Sequence, residues 1–166
     1  RVVARLQDME FASYTELFQR GRSALGSAGL GGNGQFARLS ALMSLGDAPW
    51  SDCLTEDLEL GIEFLLHGWT NRFCHETKVS QQGIVDVRSL IKQRTRWFQG
   101  HLQCMRFIGP ILRSNLRAWP KLDLVFHLVN PLLMLLLQTV SLVWLVRLGI
   151  IVGSQSLAET GAMFSG

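Results

Sequence analysis

Two short segments carry the residue types that could do chemistry. Thr55-Glu56-Asp57 offers carboxylates, and Gln93-Arg94-Thr95-Arg96-Trp97 offers a basic and aromatic cluster. A carboxylate can take a proton from a hydroxyl. Arginine and glutamine can hold a diphosphate, and an indole can stack on a sugar ring. Together these are the parts that transfer of a sugar from a nucleotide donor needs. Asp57 is the stronger candidate base and Glu56 the alternative, since both stand at the start of one helix. The bland reading of Asp57 is a surface acid that only serves the helix dipole.

Elements must hold these parts in place. Thr55 is a reasonable N-cap, and Glu56, Asp57 and Glu59 load the first turn with the charge a helix N-terminus favours. Leu58, Ile62, Leu65, Leu66 and Trp69 form the stripe expected to be buried, and Gly68 closes the helix. Asn71 to Val79 reads as a strand. Asp86 or Ser89 caps the next helix, which should run to about Phe107, with Pro110 ending it. On it Gln93, Arg96 and Trp97 fall at i, i+3 and i+4, so they share a face. Gly100 leaves room there for something bulky. Arg94 points off that face. Leu90, Ile91 and Phe98 lie on other faces, as suits a helix at a membrane surface.

Upstream, apolar positions Val2, Leu6, Met9 and Leu17, with Val3, Tyr14 and Phe18, predict a helix from about Val3 to Leu25. Gly26 to Gly34 is glycine-rich, and Gly32 and Gly34 are the residues of a tight turn or of close backbone approach. A short helix is expected over Ser40–Leu45, stopping at Gly46.

Charge and hydropathy narrow the function. Between Asn71 and Lys121 stand ten basic residues opposed only by Glu76 and Asp86. Such a block wants an anionic partner. From Leu122 to Ile151 the chain is nearly all apolar, and Leu128 to Val146 carries no charge, enough for about one bilayer crossing. Beside such a span, lipid and diphosphate are better partners than nucleic acid. Arg106, Arg113 and Arg117 read as contacts to lipid headgroups, and Trp119 and Trp144 as interface anchors. Basic residues gather before the span, which puts residues 1–121 on the cytoplasmic side. Cys53, Cys74 and Cys104 are odd in number with no close pair in sequence. That is no disulfide framework and fits a reducing compartment. Their spacing with His67, His75 and His101 matches no metal motif.

The sequence resembles the membrane-bound processive members of glycosyltransferase family 2, such as cellulose, hyaluronan, chitin and poly-N-acetylglucosamine synthases. The resemblance rests on Gly32-Asn33-Gly34-Gln35-Phe36-Ala37-Arg38, on Thr55-Glu56-Asp57, and on Gln93-Arg94-Thr95-Arg96-Trp97 with the apolar run after it. It implies an α/β, GT-A-type domain of which this chain is the acceptor half, mostly helical, followed by interfacial helices and a transmembrane helix. The expected organisation is 1–84 acceptor side, 85–120 interfacial, 121–151 membrane span and 152–166 polar loop or tail.

It also implies inverting transfer with Asp57 as general base. Gln93 and Arg96, with Arg94 beside them, contact the donor diphosphate. Trp97, Gly32, Asn33 and Gly34 lie by the acceptor. Donors are nucleotide-diphosphate sugars, acceptors polysaccharide or glycolipid, and the cofactor magnesium or manganese. The family holds its metal with a D-x-D motif. None is present, and Asp57-Leu58-Glu59 is the nearest mimic, so the metal ligands and donor half are expected outside this chain. Starting at Arg1, the chain reads as a piece of a longer protein. A single-addition glycolipid transferase, a non-catalytic membrane scaffold and a basic surface-binding module are the alternatives.

Overall fold

The structure is a computed structural model that describes residues 2–164, with side chains through Ser154. Its helices are α1 (Val2–Ser13), α2 (Arg20–Leu25), α3 (Leu39–Met43), α4 (Glu56–Leu66), α5 (Val87–Cys104), α6 (Ile108–Arg113) and α7 (Ala118–Phe164). A π-helical turn, Tyr14–Gln19, joins α1 to α2, and a 3-10 turn, Met105–Phe107, joins α5 to α6. The helix expected from Val3 to Leu25 is therefore present, with one wide turn inside it.

No strand occurs among the described residues, so the α/β expectation is not met within them, and Asn71–Val79 is irregular instead. A strand exists only as part of a ladder, and no described segment pairs with this one. Asn71 is buried by its side chain: Nδ2 donates to Ala28 O at 3.1 Å and Gly61 O at 2.8 Å.

Two compact units make up the chain, residues 1–129 and 130–166. The first is organised around α4. One face of that helix, Leu58, Ile62 and Leu65, joins Phe107, Ile111, Leu124 and Leu128. The other, Leu60 and Phe64, packs with Ala41 and with half-buried Leu30 and Trp69. Both faces are thus covered, where the sequence stripe anticipated one. Burying a side chain such as Leu60, 1 % exposed, contributes roughly 1.5–3 kcal/mol.

The N-terminal helix is built the opposite way. Val2 and Leu17 are 72 % and 71 % exposed, while Gln7, Gln19 and Arg22 are buried. Gln7 and Gln19 face irregular backbone that needs partners. Gln7 Nε2 donates to Ile84 O at 2.8 Å. The Gln19 amide accepts from Gly29 N at 3.2 Å. Arg22 Nε reaches Asp123 Oδ2 at 2.8 Å, tying α2 to the start of α7.

Pro110 does not end α5. It sits in the first turn of α6, where an N–H has no acceptor within that helix and its loss is tolerated. α5 stops at Cys104 by tightening into the 3-10 turn.

In the second unit α7 continues through Pro131. Residues Ala118–Ser154 are apolar enough for a membrane crossing, with mean hydropathy 2.1. Those 37 residues measure roughly 55 Å, beyond the ~30 Å a bilayer core requires. Leu124 and Leu128, counted in the sequence as part of the span, are buried inside the first unit. The stretch after Gly153, expected as a loop, is helical to Phe164. It contains no proline, and extending an existing helix fixes one residue per new hydrogen bond, far easier than nucleating one.

Candidate active site

Asp57 stands in the first turn of α4 and is half-buried, whereas Glu56 is exposed. Asp57 Oδ1 accepts from Leu58 N at 2.8 Å, which orients the carboxylate. Its Oδ2 lies 3.5 Å from where a Cβ on Gly32 would be. The structure thus brings the glycine segment and this carboxylate together, and a Cβ at residue 32 would lie in van der Waals contact with it. Thr55 occupies the N-cap position without making the cap hydrogen bond. Its hydroxyl turns to sulfur, 3.7 Å from both Cys53 Sγ and Cys104 Sγ.

The rest of the glycine segment faces elsewhere. Gly34 has φ +70°, and Val79 Cγ2 stands 2.6 Å from its missing Cβ, so both the turn and the packing require glycine. Asn33 Nδ2 donates to Gln81 Oε1. Phe36, beside them, is 96 % exposed.

α5 starts where the sequence anticipated. Asp86 caps it, Oδ1 accepting from Ser89 N at 2.8 Å. The hydrogen bonds from Ser89 hold the Asp86 carboxyl below its ordinary range. Along α5 Gln93, Arg96, Trp97 and Gly100 share a face. Gln93 Oε1 is shielded from solvent without a partner. Arg96 is exposed, and among the described residues it enters no ion pair. Gly100 fits under Thr55, whose backbone is the bulky group the sequence left room for.

Arg94 is engaged elsewhere. Its Nη2 pairs with Glu10 Oε2 at 2.6 Å, and its guanidinium lies over the rings of Trp97 at 4.6 Å and Phe11 at 5.7 Å. Trp97 also meets Phe11, ring centroids 6.1 Å apart at 60°. One side of the indole is thereby occupied within the fold.

Arg106, read in the sequence as a headgroup contact, is instead held by protein. Its Nη2 pairs with Glu59 Oε1, and Ser51 Oγ donates to Glu59 Oε2. Ser51 Oγ also accepts from Cys53 N at 3.1 Å. This network props the loop that enters α4. Glu59 and Ser51 were missed because an acid in a first turn reads as a dipole partner and a loop serine as solvent-facing. Phe11 and Glu10 left no signal at all.

Cys53 and Cys104, distant in sequence, are neighbours, Sγ to Sγ 3.6 Å, and both are buried. Burial pushes the Cys104 thiol up to about 12, so it stays protonated. Three residues before Cys104 on α5, His101 Nε2 donates to His127 O at 2.8 Å. Burial lowers the His101 pKa, and nearby Arg22 adds to that against the opposing hydrogen bond. No three His, Cys, Asp or Glu among the described residues stand where they could hold a metal ion. A divalent metal therefore does not fit the described residues.

The family described as "Glycosyl transferase family group 2" matches residues 1–163. Beta-monoglucosyldiacylglycerol synthases of Trichormus variabilis and of a Nostoc species are each 39 % identical over 88 residues, covering 52 % of this chain and 18 % of theirs. A probable glucomannan 4-beta-mannosyltransferase of Arabidopsis thaliana is 26 % identical over 130 residues, covering 76 % of this chain and 23 % of its own. The chain thus spans about a fifth of the length of the curated relatives it matches. No solved structure matches it.

Proposed function

The chain belongs to glycosyl transferase family group 2, and from that premise we propose that it supplies the acceptor side of an inverting sugar transferase at a membrane. Asp57 takes the proton of the acceptor hydroxyl, whose oxygen attacks the anomeric carbon as the nucleotide diphosphate leaves. Arg96 and Gln93 receive the leaving diphosphate. Arg96 is a free fork for phosphate oxygens, and the amide nitrogen of Gln93, one turn before it on the same face, can donate beside it. Gly32 gives the acceptor close approach to the carboxylate, and Trp97 presents the remaining side of its ring. Glu56, exposed and without a positioning contact, is a second acid of the same turn. The nucleotide pocket and the divalent cation the family uses belong to residues outside this chain.

The acceptor is a membrane lipid in this reading. The support is the glycolipid-synthase relatives, alongside the apolar stretch of α7 that roots the site at a bilayer. The catalytic face lies on the cytoplasmic side, because exposed Arg113 and Arg117 precede the span. A polysaccharide acceptor is the second reading, favoured by likeness to the glucomannan enzyme over 76 % of the chain. Product analysis separates them, since a glycolipid partitions into organic solvent and a polymer does not.

One observation carries the proposal: an oriented carboxylate beside a glycine and an unpaired arginine on the helix that abuts the same segment. Asp57→Asn keeps shape but cannot take a proton. Transfer should fall by roughly 10²–10⁴-fold while nucleotide-diphosphate affinity stays within about twofold. Near-normal turnover in the purified full-length variant would remove Asp57 from the mechanism.

A further inference from the structure

The end of α5 grips the three residues that lead into α4. Gly100 is buried, and a Cβ built on it would stand 2.6 Å from Thr55 N and 2.7 Å from both Thr55 Cγ2 and Oγ1. Gln103 Oε1 accepts from Leu54 N at 2.9 Å. Cys104 Sγ meets Cys53 Sγ at 3.6 Å. Each of Cys53, Leu54 and Thr55 is thus held by a residue of one stretch of α5. Asp57 lies two residues beyond Thr55, and Arg96 lies one helical turn before Gly100 on the same face.

This seat is the physical link between the two halves of the chemistry. A backbone nitrogen cannot swing aside as a side chain can. To reach ordinary van der Waals contact at 3.4 Å from a new methyl group, Thr55 N would have to retreat by roughly 0.8 Å. The start of α4, and the Asp57 carboxylate with it, would move away from Arg96.

We infer that Gly100 is a positioning residue for the transfer step, with Gln103 supporting it: together they set the distance between the base and the diphosphate-holding arginine. The inference rests on the reading of Asp57 and Arg96 given above. Neither Gly100 nor Gln103 touches a reacting group in this arrangement. Both act through the backbone of Thr55 and Leu54.

A merely structural glycine and a positioning one differ in what they change. The first lowers thermal stability and leaves the folded enzyme's kcat alone. The second lowers kcat at saturating donor in protein that remains folded, with diphosphate binding intact. The test uses the full-length protein in detergent, turning over a panel of nucleotide-diphosphate sugars, with uridine and guanosine diphosphate as binding probes. In Gly100→Ala, kcat should fall by roughly 10–100-fold, the scale of an ångström-sized misplacement, with diphosphate affinity within about twofold. Gly100→Val should fall further at the same affinity. Gln103→Ala removes an acceptor at an exposed position, so it should fold and lower kcat several-fold in the same way. Gly21→Ala, where nothing lies within 4 Å of the new Cβ, should change neither quantity.

Normal kcat in folded Gly100→Ala overturns the inference. So does a loss of diphosphate affinity equal to the loss of rate, which would make Gly100 part of the donor site. If the Gly100 variants do not fold, Gln103→Ala decides, and unchanged kcat there overturns the inference as well. Normal turnover by Asp57→Asn would instead defeat the reading of the site. An inactive Asp57→Asn beside an unaffected Gly100→Ala would defeat this inference alone.

Discussion

Replacing His101 with alanine should destabilise the fold by an amount traceable to one carbonyl. Pro131 lies inside α7 and has no N–H, so the carbonyl four residues earlier, that of His127, lacks its helical donor. His101 fills the gap, Nε2 donating to His127 O at 2.8 Å. The two rings also meet edge-on, 5.0 Å between centroids. An orphaned buried acceptor costs about 1–3 kcal/mol. Both histidines are half-buried, so water can repay part, and about 1–2 kcal/mol is expected, with lost ring packing added. Pro131→Ala separates the two contributions because it returns an N–H to the His127 carbonyl. In that background His101→Ala should lose only the ring contact. The four proteins of this double-mutant cycle are compared by thermal unfolding in detergent. At this chain length each 1 kcal/mol shifts Tm by roughly 2–4 °C, within reach of the method. Effects that simply add would refute the reasoning: His101 would then act through packing alone, and the proline gap would be tolerated without it.

Arg96→Ala should weaken uridine diphosphate binding by about tenfold or more, as loss of a charge-assisted hydrogen bond worth roughly 1.5–3 kcal/mol requires, while Arg113→Ala should not. Calorimetric titration checks this, and equal effects would favour lipid headgroups as the partner of both. Arg106→Ala should lower stability by roughly 1–2 kcal/mol, because it strands the carboxylate of Glu59, 6 % exposed. The figure is modest because the Arg106 side chain is 53 % exposed. Glu59→Gln in that background should recover most of the loss, and an unchanged Tm in Arg106→Ala would show that the pair carries no stability.

What was legible in the sequence was what local chemistry dictates. The start of α4 at an acidic turn, the Asp86 cap of α5 and the glycines at residues 46 and 68, both with positive φ, are written in neighbours a few positions apart. So is the shared face of Gln93, Arg96 and Trp97. What escaped was long-range. Arg94 and Glu10 are separated by 84 positions and Arg106 and Glu59 by 47, and nothing in either local pattern announces the partner. The same holds for Cys53 and Cys104. The apolar spacing of the first helix was read correctly as helical, but periodicity does not say which stripe faces in. There the inward stripe is polar, because it meets loop backbone and the Asp123 carboxylate rather than another apolar face. The strand expected at Asn71–Val79 shows the converse: an extended pattern forms no strand without a partner to pair with.

The wide turn at Tyr14–Gln19 bears on how this family can vary in length. An i→i+5 turn holds one residue more than an α-turn between the same two ends. Removing one residue there would return the helix to ordinary pitch, with Gln7 before the turn, Gln19 at its end and Arg22 after it still directed inward. Removing one from Arg20–Leu25 would instead swing the residues beyond it by about 100° and pull Gly26 away from Pro120, whose Cγ lies 3.8 Å from where a Cβ on Gly26 would be. Natural insertions and deletions should therefore gather in the six residues of the wide turn, where a lineage can gain or lose a codon without re-registering the fold around it.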